Sequence, residues 1–247
     1  MATLSTEDPV AVAVVSALHR GDVAALHRLL AEHAALATSR LGDDDPDGMS
    51  RTLLHVVTDW PGHFPRGAVS VAVLVEAGAD VNARFRGPHG ETPLHWAASS
   101  DDVAVLDALL DAGADIDVPA AVIAGGTPLA DATAFAQWKV AHRLVERGAQ
   151  VNLFAAASLG LMDRLDTLVT GAPAATADQL SDAFWAACHG GQLRAAEFLL
   201  DHEATLNWLP GWERLTPLDG AVRGGATDVI TWLHGHGART ASDLRGA

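Results

Sequence analysis

Residues 90–117 read GETPLHWAASSDDVAVLDALLDAGADID, and much of the remaining chain is a blurred copy of this stretch. Thr92 is a good helix N-cap, and Pro93 behind it has the fixed φ and missing N–H that suit a first helical position. Leu94, Ala97 and Ala98 form a small apolar stripe. After a break at Asp101 and Asp102, Val103, Leu106, Leu109 and Leu110 form a second. Gly113, just past the last periodic residue, closes the second helix. Two short helices back to back cannot bury their own apolar faces, so the pattern predicts neighbours of the same kind.

The two-helix phrase can be laid on the chain seven times, starting near Val12, Thr52, Thr92, Thr127, Val151, Asp182 and Thr216. The best copies open TLLH (52–55), TPLH (92–95), TPLA (127–130) and TPLD (216–219). Their tails match in phase: GADVN (78–82), GADID (113–117), GAQVN (148–152) and GAR (237–239). TPLH openings, a small-residue pair and GADxN tails together resemble the ankyrin repeat, with its period of about 33 residues. The resemblance covers Val10 to Arg239, in about seven repeats including degenerate ones. It implies an all-α ankyrin repeat solenoid of stacked helix-turn-helix units with short hairpin-like fingers. Residues 1–9 are expected to be a disordered leader, 10–240 one repeat array and 241–247 a tail. The starts are 40, 40, 35, 24, 31 and 34 residues apart, so special features are expected where the period breaks.

Composition narrows the function classes. A hydrophobic share of 49% and a mean hydropathy of +0.16 provide a core, while no apolar run reaches the ~18 residues of a membrane span. The acidic N-terminus carries no secretory signal, so a cytoplasmic protein without a membrane partner is expected. The net charge of −15 argues against nucleic acid, which demands clustered Lys and Arg, and favours a neutral or basic partner. Lys139 is the one lysine among sixteen basic residues and alanine abounds, which points to a high-GC bacterial genome. Cys188, alone, excludes an internal disulfide and a cysteine-cluster metal site, and it is expected to pack like alanine. His234 and His236 lack a third ligand, so no metal is expected, and no cofactor. HExxH, GxSxG and GxxxxGK[ST] motifs are all absent. In the resemblance, His55 and His95 of the TPLH motif bond the cap threonine and the adjoining repeat.

Candidate recognition residues lie in the irregular connections. The second repeat carries an insertion, WPGHFPRG (60–67), whose prolines and glycines cannot continue a helix. It must present Trp60, His63 and Phe64 on a rim loop, either packed on a neighbour or forming a recognition surface. The finger at 82–90 places Phe85 between Arg84 and Arg86, residue types enriched in interface hot spots. The finger at 118–126 is apolar, and Val122 and Ile123 are expected to bury. The acidic turn at 43–48 reads as a solvated loop before a cation site. The finger at 208–214 sets Trp208 and Trp212 four residues apart, followed by Arg214. The fifth and sixth repeats carry Phe154 and Trp185 at the TPLH histidine position, which suggests a tighter, more apolar interface there.

Two functional readings result. The leading one is a non-catalytic protein–protein interaction module that holds its partner through Arg84, Phe85, Arg86, Trp96, Trp208, Trp212 and Arg214. The alternative is a small-molecule-binding protein or enzyme. First helices line the concave face of an ankyrin array, which would bring Asp59, Trp60, Trp96, Ser99, Asp131 and Phe135 into one groove with His63 or His89 overhead. Carboxylates and histidines beside tryptophans would give such a pocket acid–base capability. The two readings differ in the shape they require, an open surface or a closed pocket.

Overall fold

The computed structural model describes residues 3–42, 48–122 and 125–245. Asp43, Asp44, Asp45, Pro46, Asp47 and Ile123 therefore lie outside the described residues, and with them most of the acidic turn and part of the apolar finger. The chain divides into two compact units, Met1–Ala149 and Gln150–Ala247. The division falls at the shortest step in the repeat spacing.

Unit one holds four helix pairs. They are α1 (Pro9–Arg20) with α2 (Val23–Glu32), α3 (Leu53–Thr58) with α4 (Gly67–Glu76), α5 (Pro93–Ser99) with α6 (Val103–Asp111), and α7 (Pro128–Ala134) with α8 (Trp138–Glu146). First helices stack in the order α1, α3, α5, α7 and second helices in the order α2, α4, α6, α8, the two-layer stack expected of the repeats. Leu54, Leu94 and Leu129 from the TxLx openings and Leu74, Leu106, Leu109 and Leu144 from the second helices are buried between the layers. Asp22 and Asp102 cap the second helices by accepting from Ala25 N and Val105 N at 2.9 and 3.2 Å. On the outer layer Asp107 of α6 accepts from Arg143 and Arg147 of α8 at 2.8 and 2.7 Å.

The TPLH histidines fasten each repeat to the next. Thr52 N–H donates to His55 Nδ1 at 3.3 Å, which leaves the ring proton on Nε2 to donate to Glu91 O at 3.1 Å. His95 repeats the arrangement with Thr92 N (3.1 Å) and, at a longer 3.5 Å, Gly126 O. Each acceptor is the residue immediately before the next repeat's cap threonine. The tail asparagine adds a second link, since Asn82 Nδ2 donates to Gly113 O (3.2 Å) and its Oδ1 accepts from Asp115 N (2.9 Å).

A small sheet accompanies the helices. β1 (Thr3–Leu4) pairs parallel with β2 (Arg40–Gly42), and β2 pairs antiparallel with β3 (Ser50–Thr52). Arg86 adds an antiparallel bridge to Ser50. The leader read as disordered thus contributes a strand.

Unit two holds α9 (Leu153–Ser158), α10 (Met162–Thr170), α11 (Ala177–His189), α12 (Leu193–Asp201), α13 (Pro217–Gly224), α14 (Thr227–Gly235) and α15 (Ala241–Arg245). First helices again stack, α9 on α11 on α13. The sixth repeat's first helix starts at Ala177, ahead of the expected Asp182. A Thr176–Gln179 capping box fixes that start. Cys188 is fully buried and its surroundings push the thiol pKa up, so it packs as a small apolar group. Within the stretch read as a tail, Ala241–Arg245 form α15, whose Ala241 N donates to Asp219 Oδ2 at 2.8 Å.

Helices α9 and α11 approach so closely that a Cβ on Gly190 would lie 2.0 Å from Ser158 O. Gly190→Ala is therefore expected to destabilise unit two by about 1–3 kcal/mol through overpacking, read as a lower denaturation midpoint. An unchanged midpoint would contradict this packing. Among the described residues no helix is long and apolar enough to cross a membrane.

Candidate functional site

In unit one the finger and the inner helices meet around Trp96. Its ring stands edge-on to His55 with centroids 4.9 Å apart, and Phe85 lies 5.5 Å from Trp96 and 6.3 Å from His55. Trp96 Nε1 donates to Glu91 Oε2 at 3.1 Å, and Val122 N donates to Glu91 Oε1 at 3.3 Å. The largely buried Glu91 carboxylate thus ties Trp96 to the following finger. Val118 and Ala121 of that finger are buried, but Val122 is 43% exposed, against the expectation that it buries. Arg84 Nη1 donates to Gly90 O (3.1 Å) and Pro119 O (3.0 Å), holding two fingers together. The Arg84, Arg86 and His89 residues are exposed.

Burial dominates the titration of the two histidines. It lowers the His55 pKa to about 3, with the Arg40 and Arg51 charges adding to the effect, and lowers that of His95 to about 4, with Arg84 adding. Both rings are therefore neutral hydrogen-bonding elements near pH 7 and have no proton to exchange there.

The insertion at 60–67 divides. Phe64 stacks on His19 at 4.3 Å. His63 N donates to Asp102 Oδ2 (2.8 Å), and its Nε2 pairs with Ser100 O (2.9 Å). Gly21, the left-handed C-cap of α1, leaves room for Pro65, whose O would be 2.2 Å from a Cβ there. These contacts seat the loop on the ends of the neighbouring repeats and leave Trp60 81% exposed. Asp59 forms an ion pair with Arg51.

The eight residues read as a possible pocket therefore have separate roles. His63 is committed to the Ser100 carbonyl, Ser99 Oγ donates to its own helix at His95 O (3.0 Å), and Phe135 is 45% exposed. Asp131 is the clearest correction, since its side chain is fully buried and does not line an open groove. The position after TPLx is buried at Val56 and Gly220 as well, and at Gly220 it lies against Trp185 of the preceding repeat.

Unit two contains a larger aromatic cluster. Trp185, fully buried, donates Nε1 to Leu215 O at 2.9 Å. Leu215 immediately precedes the cap Thr216, so the indole N–H does for the sixth repeat what the histidine Nε2–H does for the second. Trp212 stands edge-on to Trp185 at 4.9 Å and lies 5.9 Å from Phe154, while itself 55% exposed. Arg223 lies over the Trp185 ring at 5.5 Å and pairs with Glu213 at 3.0 Å. Trp208, half-buried, donates Nε1 to Asp182 Oδ1 at 2.8 Å. Arg214 is exposed.

The cluster thus joins the expected Trp212 to Phe154 and Trp185, which the sequence marks as packing residues, and adds Arg223. The signal was the large aromatic at the TPLH histidine position of two successive repeats.

These repeat geometries agree with a comparison against known families. The family model for ankyrin repeats matches in three copies, over residues 14–120 and 67–155. No curated protein matches the sequence. The matched span, 14–155, is more than half of the 247 residues, so the chain belongs to the ankyrin repeat family, whose repeats are generally protein–protein interaction modules.

Proposed function

We propose that the protein is a non-catalytic binding module that holds a protein partner on aromatic surfaces of its inner helices and fingers, with Trp212 as principal anchor. The observation that carries this reading is the setting of Trp212: a tryptophan more than half exposed, yet propped edge-on against a buried one. Exposed aromatic area costs solubility, and a rigid aromatic offered to solvent on a packed base is the usual form of an interface hot spot. Arg223, Glu213 and Arg214 supply a polar rim. In unit one the exposed Arg84 and Arg86 and the half-buried Phe85 and Trp96 form a second contact surface. The net charge of −15 favours a partner neutral or basic as a whole.

Trp212→Ala is expected to weaken partner binding by roughly 2–4 kcal/mol while leaving the melting temperature nearly unchanged. Co-purification from a native lysate, with the captured protein titrated afterwards, measures it. Undiminished capture by the variant would sink the assignment.

A further inference from the structure

The sheet edge of unit one carries a concentration of positive charge in a strongly acidic protein. Arg40, Arg51, Arg84 and Arg86 are four of its sixteen basic residues, and they meet where β2, β3 and the finger come together. Arg51 is neutralised by Asp59. The other three have no carboxylate within 4.0 Å among the described residues.

Arg40 is the unusual member. It is only 6% exposed, and its guanidinium donates to three neutral oxygens: Ser50 Oγ from Nε at 2.8 Å, Ser50 O from Nη2 at 2.6 Å and Arg84 O from Nη2 at 2.8 Å. A buried charge is ordinarily paired, because removing it from water is costly. Here three of the five guanidinium N–H groups are bonded, all to neutral oxygens, and none of these bonds balances the charge. Burial lowers the Arg40 pKa, and the neighbouring Arg86 charge lowers it further. The exposed Arg86 is fixed beside it by the paired backbone bonds Ser50 N to Arg86 O and Arg86 N to Ser50 O, both 2.9 Å. A guanidinium is a planar fork suited to a carboxylate, so a carboxylate arriving at Arg86 would also neutralise the field of the buried charge behind it.

We propose that the edge formed by Arg40, Arg84 and Arg86 is a recognition site for an acidic segment of a protein partner. This rests on the reading of the finger as a partner contact and names the chemistry it selects. A partner that is neutral or basic overall can present such a segment. The general field of the molecule favours its basic surfaces, and this edge sets the register by accepting its acidic ones.

The probe is the capped peptide Ac-Glu-Glu-Gly-Glu-Glu-NH2, titrated into the full chain at low salt and followed by calorimetry and the Trp96 indole N–H resonance. Its glutamine and lysine counterparts serve as controls. The glutamate peptide is expected to bind, the controls are not, and Arg86→Gln is expected to weaken binding about tenfold without changing the melting temperature. Equal binding of the three peptides, or indifference to Arg86→Gln, would overturn the proposal. So would binding that appears only after Asp43, Asp44, Asp45 and Asp47 are changed to asparagine, which would assign the edge to the chain's own acidic stretch. The peptide is assayed directly on the chain, so its failure leaves the Trp212 anchor untouched, and co-purification tests that anchor separately.

Discussion

Trp185→Ala is expected to cost unit two about 4 kcal/mol, the middle of the range for aromatic truncation in a core. The side chain fills the space between α11 and α13, where a Cβ on Gly220 would lie 3.5 Å from the indole. It also supports Trp212 and Phe154 and carries the Arg223 guanidinium. Truncation leaves a cavity that glycine cannot fill from the other side, and it strands the Leu215 carbonyl. Trp185→Phe separates the two contributions, retaining most of the volume but losing the N–H, for a cost of about 1 kcal/mol from the hydrogen bond. Denaturant unfolding with hydrogen exchange read at α11 and α13 assigns the loss to this unit. A cost for Trp185→Ala below about 1 kcal/mol would mean that the indole does not hold the repeats together.

Acidification should weaken unit one well above the range in which carboxylates protonate. His55 and His95 titrate at about 3 and 4 in the folded chain and near 6.5 when unfolded. At pH 7 both states are neutral and nothing is lost. Between pH 6.5 and the folded values the unfolded chain binds two protons that the folded chain refuses, so stability falls as the pH drops. From pH 7 to pH 5 the combined loss is on the order of 4 kcal/mol, at about 1.4 kcal/mol for each group and each unit of pH below 6.5. Unfolding curves at the two pH values measure it, and His95→Gln should remove about half of the dependence. A His55 ring that titrates near 6.5 by NMR would refute the assignment.

The fold is most legible where local chemistry repeats. Thr52, Thr92, Thr127 and Thr216 each precede a first helix because cap and apolar stripe agree at every copy and proline at three of the four. The start of the sixth repeat is harder to see because its TPLx opening is missing, and only Thr176 and Gln179 mark it. The burial of Asp131 is not legible in the sequence, because helical spacing alone does not tell a face turned to another helix from one turned to solvent. Trp185 was recognisable as unusual, but its hydrogen bond to Leu215 depends on a carbonyl thirty residues away. Arg40 gave no sequence signal, since only the strand pairing of β2 buries it.

The fastening between repeats has one further consequence. Its acceptor is in every case a backbone carbonyl, offered by Glu91, Gly126 and Leu215, three residues with nothing in common in their side chains. The joint therefore places no demand on what that residue carries. One copy spends that freedom: the Glu91 carboxylate turns to Trp96 and the backbone of Val122, adding a local specialisation at a seam whose strength is supplied by the main chain.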